Sequence, residues 1–216
     1  MSIPNLLTTG GLVMVPLLGL SILAMALVLE RLVFWWQLTR QQDRVIQDTL
    51  ALYRRSPRAA LQKLEQHATL PMARIFLAAL ELEQATPDEF RLALESAAQA
   101  ELPLLRRFNT VFDTIISVAP LLGLLGTILG LIQSFSSLRL GDLGGTQTAG
   151  VTAGISEALI STAAGLIVAI ITLLFANMFR GLYQRQVALI QEYGGQLELL
   201  HRRRQEYPSP PYAPTQ

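Results

Sequence analysis

Along most of this chain polar and apolar residues alternate with a helical period, but in three stretches the polar residues almost vanish. Residues 12–29, 114–135 and 155–179 are nearly continuous apolar runs, close to or above the ~20 residues that a helix needs to cross a bilayer. The first is the shortest, and Gly10 and Gly11 can extend it. Between the first two runs the pattern returns to short amphipathic blocks. Ser56-Pro57 and Thr86-Pro87 each place an N-cap residue before a proline at the first helical position. Thr86-Pro87-Asp88-Glu89 also has the spacing of a capping box. Apolar residues recur at Leu61, Leu64 and Ala68, then at Ile75, Leu80, Leu82, Phe90, Leu92 and Leu94, which predicts short helices packed on one another.

The expected fold is therefore an all-α integral membrane protein with three transmembrane helices. Residues 1–30 hold the first, 31–110 a helical segment outside the bilayer, and 111–136 the second. Residues 137–153 form a short outer loop in a stretch rich in glycine (Gly141, Gly144, Gly145, Gly150, Gly154). Too short for a domain, it makes the second and third spans an antiparallel hairpin. Residues 154–201 are the third transmembrane helix, opening at Gly154 and extended beyond the bilayer through Gln184 to Leu200. Residues 202–216 form a basic, proline-rich tail whose composition predicts disorder.

Composition agrees with this picture: 51% of residues are hydrophobic and 15% charged, against ~25% charged in globular domains. The absence of cysteine excludes disulfides and thiolate metal sites. Charge placement predicts orientation. No Lys or Arg precedes Arg31, eleven lie from Arg31 to Arg107, Arg139 stands alone in the loop, and five follow from Arg180 onward. By the positive-inside rule the N-terminus and the 137–153 loop face outward, and the middle segment and the tail are cytoplasmic. A cleaved signal peptide, with Ala24-Met25-Ala26 as a small-x-small site, is the rival reading of the first run. It lacks a basic leader, and Glu30-Arg31 follows the apolar stretch, which favours an uncleaved span. In residues 31–110 nine acids offset the eleven basic residues. They read as a solvated face rather than a nucleic-acid surface, and Arg202–Arg204 suit a helix C-terminus or membrane lipid head groups.

The candidate chemistry lies in the hairpin. Glu157 stands at the head of an apolar run; an acid at the helix centre costs roughly 2.5–3.5 kcal/mol, and less near an end. One reading makes it part of an ion pathway. The other makes it an interfacial acid at the positive end of its own helix. Counting from the midpoint of each run at ~1.5 Å per residue puts Thr127 about 5 Å, Thr162 about 7 Å and Glu157 about 14 Å outward of the midplane. This predicts a hydroxyl belt below a carboxylate at the mouth. Threonines that bond their own helix carbonyls are the alternative. Asp113, Ser117, Pro120, Leu124, Thr127, Leu131 and Ser134, spaced three and four apart, form one stripe of mixed polarity, suited to a narrow pore. Gly123, Gly126 and Gly130 fall largely off it and suit close helix packing, Gly126 and Gly130 as a GxxxG pair; Pro120 removes a backbone donor. His67 and His201 read as isolated surface residues. No P-loop, dinucleotide fingerprint or HExxH occurs, so neither catalysis, a cofactor nor a metal is expected, and energy must come from an ion gradient or a partner.

A-P-L-L-G-L-L-G-T-I-L-G (119–130), followed by Ile132 and Phe135, resembles the second transmembrane helix of the ExbB/TolQ/MotA proton-channel family. G-I-S-E-A-L-I-S-T-A-A-G-L (154–166), followed by Ala169-Ile170 and Asn177, resembles its third, and Leu29-Glu30-Arg31 fits the end of its first. ExbB-type members are the nearest in layout. The resemblance implies a homo-pentamer around a central pore, in the bacterial inner membrane, holding two copies of a smaller ExbD/TolR-like partner whose aspartate carries the proton. It implies that Thr127, Glu157 and Thr162 line the path. It also implies that proton flow does work on a TonB-like envelope protein for import, or, for a TolQ-like member, on envelope integrity. Sodium stays open beside the proton. Ile171 and Thr172 stand where the family often has proline. Asp113 is not a usual family residue, and is read either as a proton-release group or as a head-group-level acid near Arg106 and Arg107. A non-conducting scaffold is the main alternative. A solute transporter would need the repeats or broken helices that three spans do not show.

Overall fold

The computed structural model describes residues 11–82, 84–136 and 146–206. In chain order these form α1 (Met14–Arg55), α2 (Pro57–Gln66), α3 (Pro71–Leu80), α4 (Pro87–Leu105), α5 (Asn109–Ser136) and α6 (Thr146–Glu206). Helix α1, the stretch Pro87–Ser136 that contains α5, and α6 are long and apolar enough to cross a membrane. The 42 residues of α1 extend about 63 Å and the 61 of α6 about 92 Å at 1.5 Å per residue, well beyond the ~30 Å hydrocarbon core.

Local chemistry explains the breaks. Helices α2, α3 and α4 each begin with proline in the first turn, where the missing N–H costs nothing. Ser56 caps α2 by accepting from the Ala59 amide. Thr86 and Glu89 close a reciprocal capping box on α4: the Thr86 amide donates to Glu89 Oε2 at 2.8 Å, and the Glu89 amide to Thr86 Oγ1 at 3.3 Å. Between α4 and α5 the chain turns through Phe108 at φ +70°, a rare conformation for an aromatic residue. The Arg31 guanidinium lies over that ring, 5.2 Å from its centre.

The chain divides into two compact units, with boundaries after Leu32, Arg107 and Phe179. Arg31, Arg106, Arg107 and Arg180 flank those three points. One unit comprises the described residues up to Leu32 and from Phe108 to Phe179. Its helices meet along small residues. On α6, Gly154, Ala158, Ser161, Gly165, Ala169, Thr172 and Ala176 are all buried, and on α5 so are Ala119, Gly123, Gly126, Gly130 and Ser134. A Cβ on Gly165 would stand 2.5 Å from the Ala119 carbonyl oxygen, and one on Gly130 2.7 Å from that of Gly154. The two helices run antiparallel, since α6 partners fall in number as α5 numbers rise. Helix α1 runs parallel to α6: Met14 and Leu17 pack with Ala119 and Ala169, and residues from Ser21 to Val28 face Ile167 to Phe175. Large apolar side chains such as Leu121, Ile132, Leu159, Ile167 and Leu174 point outward, where lipid is their natural solvent. Apolar surface gains nothing by helix contact in lipid, so close backbone packing holds this unit together.

The other unit comprises Val33–Arg107 and the described residues from Arg180 onward. It has an apolar core that includes Ile46, Leu64, Met72, Ile75, Phe76, Phe90 and Leu197. Two polar features run through it. Gln42 and Gln186 are buried and exchange amide hydrogen bonds of 3.0 and 2.8 Å. Arg74 grips Glu101 with two bonds, Nε at 2.7 Å and Nη2 at 2.5 Å, and the contact holds the Arg74 pKa above its ordinary value.

Several expectations change here. The charges of residues 31–110 are not all a solvated face, because Glu101 is buried against Arg74. His201 is no isolated surface residue: its ring stacks on Phe90 with centres 4.0 Å apart, and its nitrogens bond Tyr53 Oη and the Ala85 carbonyl. Leu92 is exposed, on the helix face away from Phe90 and Leu94. Helix α6 begins at Thr146 rather than 154, since Gly154 packs inside a helix instead of punctuating a loop. Helix continues to Glu206, through basic residues expected in the tail. Residues 1–10, 137–145 and 207–216, including Gly10, Arg139, Gly141, Gly144, Gly145 and the tail prolines, lie outside the described residues.

Gly165→Leu is expected to cost about 1–3 kcal/mol, because the obstacle is backbone. Gly181→Ala, with nothing within 4 Å of its Cβ position, is expected to be neutral or to gain up to ~1 kcal/mol of helix propensity. Thermal unfolding in detergent checks both. A pH effect follows from the capping box. Bonds from the Thr86 backbone and hydroxyl lower the Glu89 pKa below 4.5. The stability it adds is complete above its unfolded value and is lost as pH falls through the folded one. Glu89→Gln is expected to flatten that acid limb, read by helix content across a pH titration.

Candidate functional site

Close packing of α5 on α6 sets the site. With no side chain at Gly123, the α6 backbone comes near enough that a Cβ there would lie 3.0 Å from Thr162 Cα. The Thr162 hydroxyl then donates to the Gly123 carbonyl at 2.9 Å. The neighbouring Ser161 is fully buried and donates to the Ala158 carbonyl at 2.9 Å and to the Gly123 carbonyl at 3.4 Å. Thr127 bonds within its own helix, to the Leu124 carbonyl at 2.6 Å.

These contacts fix relative heights. Thr162 is level with Gly123, and Glu157 with Gly130, whose Cβ position touches Gly154 and Ala158. Thr127 therefore lies between them, about 4.5 Å from the Glu157 level and about 6 Å from the Thr162 level by helix rise. The two threonines are not at one height. They and Glu157 form a ladder of three half-buried polar groups, one step per helical turn. Each threonine donates its proton to a carbonyl and keeps lone pairs that can accept from water or a protonated group.

Glu157 is eleven residues inside α6, which starts at Thr146, so the positive end of its own helix does not account for it. Its carboxylate instead lies against Gly11, three residues before α1 begins at Met14. The dipole end nearest to it is that of α1, where a negative group is favoured.

Along the α5 stripe, Asp113, Ser117, Leu124 and Leu131 are exposed, and Pro120 and Thr127 half-buried. Ser134 departs from it. It is buried and donates to the Gly130 carbonyl at 2.9 Å and to the Val151 carbonyl at 3.3 Å. The reason is geometric: a strict seven-residue repeat drifts about 20° per heptad on a straight helix, and Ser134 is three heptads from Asp113. Gly123, Gly126 and Gly130 occupy the packed face. Ser161 and Gly11 did not stand out in the sequence. The signal for Ser161 was the run of small residues three and four apart from Gly154 to Ala176. No one-dimensional signal joined Gly11 to Glu157.

Residues 67–192 match the family described as the MotA/TolQ/ExbB proton channel family. A Synechocystis sp. protein named biopolymer transport protein ExbB-like 3 is 65% identical over 199 residues, 92% of this chain and 95% of that protein. ExbB-like 1 of the same organism is 43% identical, covering 89% and 76%. The biopolymer transport protein ExbB of Neisseria meningitidis serogroup B is 34% identical, covering 76% and 79%.

Thr162→Val keeps the shape and removes the donor. Interhelical hydrogen bonds in membranes average ~0.6 kcal/mol, so a loss near that size is expected in a reversible unfolding titration, with Thr162→Ser close to wild type.

Proposed function

The chain belongs to the MotA/TolQ/ExbB proton channel family, and from that premise we propose that it is the conducting subunit of a membrane motor. Protons pass along Glu157, Thr127 and Thr162, and their flow is turned into mechanical work on an envelope protein. The observation that carries this reading is the ladder: three half-buried polar groups, one turn apart, on the adjoining helices α5 and α6.

The ladder lacks a carboxylate at its deep end. Asp113, Asp142 and Glu157 are the only acids from residue 111 to residue 179, and Glu157 is near the mouth. A proton carrier at mid-depth must then come from another chain, which supports a small partner of the ExbD/TolR type, two copies within five of this subunit. The uncovered face of α5, with Asp113, Ser117, Leu124 and Leu131, is the surface proposed to line the pore, and Asp113 the group that releases protons at its inner end. Basic residues beside each unit boundary support an inner-membrane orientation with the N-terminus outside. The relatives' names, biopolymer transport proteins of the ExbB kind, favour import through a TonB-like protein over a TolQ-like role. The work is transport, not catalysis, and the ion is the proton, with sodium served by the same oxygen ligands. The cytoplasmic end of α6 carries Arg202–Arg204, suited to lipid head groups.

A second reading has one observation behind it. Thr127 and Thr162 both donate to carbonyls of their own chain, as threonines in a non-conducting scaffold do. Reconstitution with the co-purifying small subunit separates the two. Dissipation of a pH gradient is expected to fall roughly tenfold or more in a Thr127→Val/Thr162→Val variant that still assembles. Unchanged dissipation would establish the scaffold.

A further inference from the structure

Gly11 meets two separate demands. Its φ of +71° lies in the left-handed region, which Asn or Asp also tolerates. The second demand is stricter: a Cβ there would overlap Oε1 of Glu157 and stand 2.8 Å from its Cδ and 3.3 Å from its Cγ. The carboxylate thus occupies the space that any side chain at position 11 would fill. What would yield also differs from the other tight glycines. Behind Gly165 stands the Ala119 backbone, so a substitution there strains the helix pair. Behind Gly11 stands the tip of a flexible side chain, so the clash itself is relieved by moving the carboxylate, apart from the backbone strain that the positive φ puts on any side chain there.

From this geometry we propose that Gly11 is a positioning residue for Glu157, and that the start of the first span thereby forms part of the mouth of the ion path. The proposal rests on the pathway reading above and adds α1 to a site otherwise built from α5 and α6. Thr127 and Thr162 take their places from the α5–α6 packing, whereas Glu157 takes its place from α1. Displacement of the residue before α1 therefore reaches the ion path at its mouth, through Glu157.

Two measurements on the chain reconstituted with its small subunit test this. In the first, proton flux and its pH dependence are compared in wild type, Gly11→Ala, Glu157→Ala and the double variant. Gly11→Ala is expected to lower flux roughly tenfold and to alter its pH profile, yet to add nothing once Glu157 is alanine. An equal loss in both backgrounds overturns the proposal, since the backbone demand alone would then be responsible, as does a wild-type flux and pH profile for Gly11→Ala. The second measurement does not depend on conduction. The chain has no cysteine, and a sulfur at the Glu157 Cγ position lies within disulfide reach of a Cβ at position 11. Gly11→Cys/Glu157→Cys is expected to form an intrachain disulfide under mild oxidation in native membranes. No disulfide, with flux still dependent on Glu157, overturns this proposal alone. A wild-type flux for Glu157→Ala overturns the pathway reading and this proposal together, whether or not the disulfide forms.

Discussion

How near two helix backbones come decides the rest of this structure. In lipid there is no hydrophobic gain from pairing apolar helices, so contact must be won by dispersion at short range and by hydrogen bonds. The seam from Gly154 to Ala176 on α6 and from Ala119 to Ser134 on α5 provides that short range. Once the backbones approach, the Gly123 carbonyl comes within 2.9 Å of the Thr162 hydroxyl and the Val151 carbonyl within 3.3 Å of the Ser134 hydroxyl. Larger residues on the seam would part the helices and break these bonds together. The polar groups proposed to handle protons are thus held by residues that carry no chemistry themselves.

The units use different physics for the same end. In the membrane unit small residues line the seam of α5 on α6 and many large ones face outward, although Phe112, Ile115 and Phe179 are enclosed. In the other unit large apolar side chains form the core, with Phe76, Phe90 and Met72 fully enclosed. The stacked Phe90–His201 pair and the Arg74–Glu101 grip place polar groups where burial leaves them well partnered. Water rewards burial of large apolar surface, while lipid is indifferent to it.

Much of this was legible in one dimension, and the reasons for the failures are specific. Long apolar runs and Ser-Pro and Thr-Pro caps are local signals, and α1, α5, α6 and the starts of α2 and α4 follow from them. Glycine misled at the start of α6, because a glycine in a packed helix and a glycine in a loop are identical in the sequence, and only the facing Gly130 backbone tells them apart. Ser134 was lost to the small mismatch between a heptad count and 3.6 residues per turn, harmless over one heptad and decisive over three. The heights of Thr127 and Thr162, counted separately from each run's midpoint, carried the uncertainty of both midpoints. The contact of Gly123 with Thr162 removes it. Glu101 and His201 looked like surface residues because their partners, Arg74, Tyr53 and Phe90, are distant in sequence.

The paired side-chain amides of Gln42 and Gln186 have a consequence for a member of a proton channel family. They connect α1 and α6 within the unit that holds Val33–Arg107, and neither group ionises at any physiological acidity. A pair that included a histidine would loosen or tighten as pH crossed the pKa of that group. An amide pair has no such step: its hold between α1 and α6 is the same at any proton concentration the helices meet.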